Sequence, residues 1–186
     1  MSQPVLILIQ GAPASGKTTL RKRLDADLRI PSLSKDDIKE LMFSKFTQSD
    51  KEFSRIQGKA SIAMLLSFAR SLLESNQSVM IECAFYADIA RPEVRELLTE
   101  THAECLEIFC HVDEDVRKKR FSERAQDGTR HPGHLDIKVA DSINANVYDK
   151  LSVGKVIDLN TTSGIDQNEY DNIVDVARRY LTEKGE

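Results

Sequence analysis

Eight residues near the start of the chain, Gly11-Ala12-Pro13-Ala14-Ser15-Gly16-Lys17-Thr18, carry its clearest chemistry. The spacing G-x-x-x-x-G-K-T lets a loop turn successive backbone N–H groups toward an anion, and Gly11 and Gly16 have no Cβ to obstruct a polyphosphate. In such a loop Lys17 reaches the β- and γ-phosphates and Thr18 offers its hydroxyl to magnesium, with Thr19 next on the helix that the loop opens. The context fits, because the loop follows the apolar run Val5-Leu6-Ile7-Leu8-Ile9 and precedes Leu20, Leu24 and Leu28 at helical steps of four.

Phosphate chemistry needs carboxylates and further cations, and the sequence offers both at defined places. The segment Ser34-Lys35-Asp36-Asp37-Ile38-Lys39 follows a short apolar run. One of its two acids can accept the proton of an attacking hydroxyl. The competing reading is that Ser34 caps a helix and the acids merely suit its positive end. The run Val79-Met80-Ile81-Glu82-Cys83 ends in an acid that can organise magnesium or contact substrate. Arg117, Arg120 and Arg124 recur at steps of three and four, so a helix would place them on one stripe able to close over phosphates; the plainer alternative is a solvated face paired with Asp113 and Glu123. Arg130 lies just beyond. His131 and His134 have no third ligand near them in sequence and make a poor metal site.

To position these groups, short apolar runs must alternate with amphipathic stretches, and they do. Strands are expected at residues 4–10, 29–33, 78–83, 104–111 and 155–160, and helices at 16–28, 35–45, 50–75, 91–100, 113–127, 135–149 and 167–183. This order implies an α/β domain with about five mainly parallel strands, helices on both faces, and ligands at the carboxyl ends of the strands. In the long helix, Ile62, Leu65, Leu66, Leu72 and Leu73 read as core, and Lys59 and Arg70 as surface charges. The cluster from Asp127 to His134 reads as a hinged surface element.

A chain of 186 residues suits one domain, 1–186, and its 40% apolar and 30% charged composition suits a soluble one. No apolar run nears the roughly 20 residues of a membrane span, and the first is too short and wrongly flanked for a signal peptide, so a cytoplasmic protein without membrane contacts is expected. Cys83, Cys105 and Cys110, odd in number and set in apolar segments, read as reduced, buried thiols. The net charge of −4 argues against non-specific attraction to nucleic acid, though it leaves room for a local basic patch.

Together, G-A-P-A-S-G-K-T, S-K-D-D-I-K and the pattern R-F-S-E-R ending in R-H-P-G-H resemble the small P-loop kinases that phosphorylate a hydroxyl. These are the zeta-toxin, chloramphenicol phosphotransferase and polynucleotide 5′-hydroxyl kinase group, built on an AAA-type ATP-binding domain. The resemblance implies a P-loop NTPase three-layer sandwich with a helical lid at about 113–134, and ATP and Mg2+ as cofactors. It also implies that Asp36 is the general base, that Lys39 is a substrate contact, and that Arg120 and Arg124 are lid arginines, with Arg124 on the phosphates. The absence of an N-K-x-D motif favours ATP over GTP. The function implied is transfer of the γ-phosphoryl group of MgATP to a hydroxyl of a small or medium substrate. The rivals are a polynucleotide 5′-hydroxyl kinase and an ATP-binding switch that phosphorylates nothing.

Overall fold

Each apolar run of the sequence becomes a strand of one parallel sheet. The computed structural model describes residues 3–46, 50–126 and 145–182. Its strands are β1 (Val5–Gln10), β2 (Ser32–Ser34), β3 (Val79–Cys83), β4 (Glu104–His111) and β5 (Lys155–Asn160). Its helices are α1 (Lys17–Leu28), α2 (Lys35–Lys45), α3 (Lys51–Glu74), α4 (Ala87–Thr101), α5 (Glu114–Gln126) and α6 (Gln167–Thr182), with a short 3₁₀ turn at Ala145–Tyr148. The sheet order is β2-β3-β1-β4-β5, with every pairing parallel.

Because successive strand residues point to opposite faces, the buried strands β1 and β3 feed two separate cores. Leu6, Leu8, Val79 and Ile81 pack on one face with Leu65, Ala69 and Leu73 of α3 and Val94 and Leu97 of α4. Val5, Ile7, Ile9 and Met80 pack on the other with Leu20 and Leu24 of α1 and Ile173, Val174 and Ala177 of α6. The result is the expected three-layer α/β sandwich. Leu65 and Leu73 are core residues, with Ile62, Leu66 and Leu72 packed against them, while Lys59 is exposed and Arg70 pairs with Glu100.

Three expectations need correction. The second strand is Ser32–Ser34, not 29–33, because Arg29 turns left-handed (φ 52°) to cap α1 and sheet pairing begins only at Ser32 opposite Met80. The fourth helix starts at Ala87, not 91, and holds Pro92 in its interior; the N–H that proline lacks would have met the carbonyl of Asp88, whose side chain is fully exposed. Of the helix expected at 135–149, residues 135–144 lie outside the described residues, and the remainder is only the 3₁₀ turn. Arg130, His131, His134 and the end of the expected lid also lie outside them. Among the described residues no helix is long and apolar enough to cross a membrane, and all three cysteines are free and buried.

Candidate active site

The loop between β1 and α1 is held in shape by the positive φ angles that its sequence permits. Gly11 (φ 140°) and Gly16 (φ 85°) bracket Ala14 (φ 69°), so the backbone curls around a concavity of N–H groups. At Gly11 the freedom is obligatory, since a Cβ there would stand 2.0 Å from the carbonyl oxygen of Cys110. The loop opens directly into α1 at Lys17, so Lys17, Thr18 and Thr19 form the positive first turn of that helix.

Lys17 is 7% exposed, and its ammonium donates to the carbonyl oxygen of Ala12 at 2.8 Å, folding back over the loop. Burial pushes its pKa below the usual lysine value, while Glu82 acts in the opposite sense. Glu82 ends β3, which lies directly beside β1. The Thr18 hydroxyl donates to its Oε1 at 2.9 Å and Arg21 Nε donates to its Oε2 at 3.2 Å. Burial pushes the Glu82 carboxyl above the usual range, and Lys17, Thr18 and Arg21 counteract it. A hydroxyl and a carboxylate are the hard oxygen donors that magnesium takes, and among the described residues no group of three or more His, Cys, Asp or Glu side chains gathers to hold a metal, so such an ion would keep most of its ligands from water and phosphate.

The two acids after β2 divide their tasks. Ser34 is the N-cap of α2 and forms a reciprocal capping box with Asp37, whose carboxylate also takes a 2.9 Å ion pair from Arg21. Asp36 points elsewhere: its side chain is 55% exposed, it meets Lys35 at 3.0 Å, and its charge is felt by both Lys17 and Glu82. Capping therefore occupies Asp37, leaving Asp36 at the mouth of the loop. Lys39, also on α2, is 5% exposed and donates to Ser54 at 2.9 Å, so it joins α2 to α3.

The arginine stripe of α5 is not uniform. Arg117 is 1% exposed and holds Glu114 with two 2.7 Å hydrogen bonds, so it does not close over phosphates as a surface cation; the acid it holds is Glu114 rather than Asp113. Arg120 is half-buried and donates to the carbonyl oxygens of Thr161 and Thr162 at 2.7 and 3.0 Å. Arg124 is exposed, one turn further on.

Sequence reasoning missed two residues that organise the site. Arg21, 8% exposed, gathers Asp25, Asp37 and Glu82 at 3.5, 2.9 and 3.2 Å, tying α1 to α2 and β3. Its signal was its position four residues after Lys17, which puts it on the same face of α1. Thr161, 1% exposed, bonds the carbonyls of Ser15 and His111 and receives Arg120, so the loop after β5 braces the phosphate loop. No local pattern announces that role.

Comparison with known proteins agrees with this fold. An AAA domain family model matches residues 6–149. A solved "putative kinase" from Chloroflexus aurantiacus J-10-fl is 34% identical, with 99% of each chain covered and a TM-score of 0.85. A gluconokinase from Sinorhizobium meliloti 1021 (15% identical, all of both chains, TM-score 0.56) shares the fold. So does a shikimate kinase from Bacteroides thetaiotaomicron (20% identical, 95% of this chain and 98% of that one, TM-score 0.53). No curated protein matches the chain. From its phosphate loop, its sheet order and these matches, the chain belongs to the AAA domain family and has the fold of the small P-loop kinases.

Proposed function

We propose that this protein is a kinase that uses ATP and magnesium to transfer a γ-phosphoryl group to a hydroxyl of a small or medium-sized substrate. The observation that carries the reading is the meeting of Lys17, Thr18 and Glu82 at the carboxyl ends of β1 and β3, with the Asp36 charge in range of the first and third. Such a site supplies what phosphoryl transfer needs, namely positioning and neutralisation of spread negative charge.

In this reading the backbone of Gly11–Thr18, with Thr19, binds the nucleotide phosphates. Lys17 leaves the Ala12 carbonyl to meet them. Thr18 and Glu82 hold magnesium, which when bound neutralises phosphate charge. Asp36 accepts the proton of the attacking hydroxyl, and Glu82 and Lys39 border the acceptor. Arg120 and Arg124 bring positive charge from α5, and closure of that helix excludes water. The buried, reduced thiols accord with action in the cytoplasm.

The test is transfer of labelled γ-phosphate from ATP to a panel of hydroxyl compounds, including a 5′-hydroxyl oligonucleotide, by the parent protein and Asp36→Asn. Transfer to one acceptor that disappears in the variant supports both the reaction and the base. ATP binding with no transfer in either protein refutes the kinase in favour of a nucleotide-dependent switch.

A further inference from the structure

Arg21 lies one helical turn after Lys17 on α1, the helix that continues directly from the phosphate loop. Leu20 and Leu24 pin that helix in the core, so Arg21 keeps a fixed relation to the loop. All three nitrogens of its buried guanidinium are engaged. Nε donates to Glu82 Oε2 at 3.2 Å, Nη2 meets Asp37 Oδ2 at 2.9 Å, and Nη1 meets Asp25 Oδ2 at 3.5 Å and Ser32 Oγ at 3.4 Å.

These contacts fall on the elements that carry the acids of the site. Ser32 opens β2 and Asp37 stands in the first turn of α2, so the arginine grips the chain on both sides of the Ser34 cap. The grip matters because β2 has only three residues, lies at the edge of the sheet and pairs with β3 alone. Asp36 adjoins Asp37 on the same turn, so a shift of that turn moves both. On β3 the arginine takes Oε2 of Glu82 and leaves Oε1 turned to the Thr18 hydroxyl. A planar fork with fixed donor directions can hold several acids in one geometry, whereas the ammonium of a lysine is a point charge on a flexible stem.

We propose that Arg21 is the positioning residue of this site: its fork holds the Glu82 carboxylate and the first turn of α2 in register with the phosphate loop, so that the magnesium-binding oxygens and the base reach the γ-phosphate together. The proposal rests on the kinase reading above and adds to it a residue that touches neither nucleotide nor acceptor. Removing a group that orients a metal ligand costs about 10–100-fold in metal affinity or activity, and a misplacement of about 1 Å costs on the order of 10²-fold in rate.

The experiment compares the parent with Arg21→Lys, Arg21→Met and Asp37→Asn, each corrected for its folded fraction from a thermal melt. Calorimetry gives ATP affinity without magnesium and the magnesium concentration that half-saturates the ATP complex; labelled-phosphate transfer gives kcat and KM at saturating magnesium. ATP affinity without magnesium should stay within about twofold of the parent, because the loop backbone and Lys17 are untouched. Both Arg21 variants should need about 10–100-fold more magnesium, and their kcat should fall by about tenfold or more with a smaller change in the KM for ATP. Asp37→Asn keeps an oxygen for the Ser34 N–H but gives up the charge paired with Arg21. It cuts only the arm to α2, so kcat should fall about tenfold while the magnesium requirement stays that of the parent.

A lysine that restores both readouts to within about twofold overturns the proposal, because charge alone then suffices. Losses that vanish when counted per folded molecule overturn it as well, and so does an equal loss of ATP affinity with and without magnesium, which would place the effect in the loop itself. If neither Arg21 variant folds, Asp37→Asn decides: a fall in kcat upholds the hold on α2 and an unchanged kcat overturns it. Transfer by the parent with unaltered Arg21 variants overturns the proposal and leaves the kinase intact. A raised magnesium requirement in the Arg21 variants, with no compound phosphorylated even by the parent, upholds the positioning of Glu82 and refutes the kinase.

Discussion

Glu82→Gln separates the metal-binding reading of Glu82 from a purely structural one, because the two predict opposite balances of stability and rate. The substitution keeps an oxygen to accept from Thr18 but turns an N–H toward Arg21, losing the 3.2 Å charge-assisted bond. Such a bond is worth about 1.5–3 kcal/mol. Removing one partner of a buried pair usually costs about 3–5 kcal/mol because a charge is stranded, but Arg21 keeps Asp37 at 2.9 Å and Asp25 at 3.5 Å. Against the lost bond stands relief from burying a carboxylate that is 4% exposed, itself a penalty of several kcal/mol before compensation. The terms nearly cancel, so stability should move by no more than about 1 kcal/mol, or roughly 2–4 °C in Tm for a chain of this size. Loss of a metal-organising carboxylate should instead lower transfer by about 10²–10³-fold, the usual scale for one preorganised electrostatic group, and should shift half-saturation to higher magnesium. Thermal denaturation and labelled-phosphate transfer over a magnesium titration measure both. Unchanged rate and magnesium dependence refute the metal role; a Tm drop of about 10 °C or more makes Glu82 a structural keystone instead.

The same variant carries a pH prediction. Burial holds the folded-state pKa of Glu82 above its ordinary value of 4.5, so in the window from 4.5 up to the folded value the native state binds more protons than the unfolded chain. That contribution to stability is complete below 4.5 and is lost as pH rises through the folded pKa, so the stability of Glu82→Gln relative to the parent should grow with pH in urea melts; a shrinking difference reverses the argument. Asp36 and Asp37 should part company: Asp37→Ala leaves Ser34 as the N-cap but loses the return bond to the Ser34 N–H and the 2.9 Å ion pair with Arg21, costing about 1 kcal/mol or more in a urea melt while ATP still binds, whereas Asp36→Ala abolishes transfer with Tm nearly unchanged. Gly11→Ala should lower Tm by more than about 6 °C and weaken ATP binding in calorimetry, since its Cβ meets the Cys110 carbonyl at 2.0 Å; Gly58→Ala, in α3 with nothing within 4 Å, should stabilise by about 0.5–1 kcal/mol. Arg124→Ala should reduce kcat more than it raises the KM for ATP, and equal losses would make it a simple binding residue.

Local chemistry made much of this molecule readable. Glycines at positions 11 and 16 permit the loop's positive φ angles on steric grounds, and the unbroken apolar runs of β1 and β3 announce strands buried on both faces. Strands β4 and β5 have the bounds expected of them, because their ends coincide with changes in hydrophobicity. The end of β3 was visible too, and with it Glu82. Where the signal was ambiguous, it was ambiguous for a physical reason: Arg29 precedes an apolar run and reads as extended, yet it turns left-handed to cap α1 through its N–H on the Asp25 carbonyl, a bond that no residue pattern marks when the cap is not glycine.

What the sequence alone determined is the phosphate loop, the alternating β/α order and hence the end of the sheet where chemistry gathers. What only the tertiary structure decided is the partnership of groups distant along the chain. Asp36 and Asp37 are equivalent as letters, and become different because Arg21, folded against β3, claims one of them. Arg117, Arg120 and Arg124 share a helical stripe, but the first is buried with its guanidinium held by Glu114, and the loop after β5 anchors the second. Helical spacing sets which side chains share a face, whereas desolvation and the choice of counter-charge depend on which surface that face meets, and this is a property of packing.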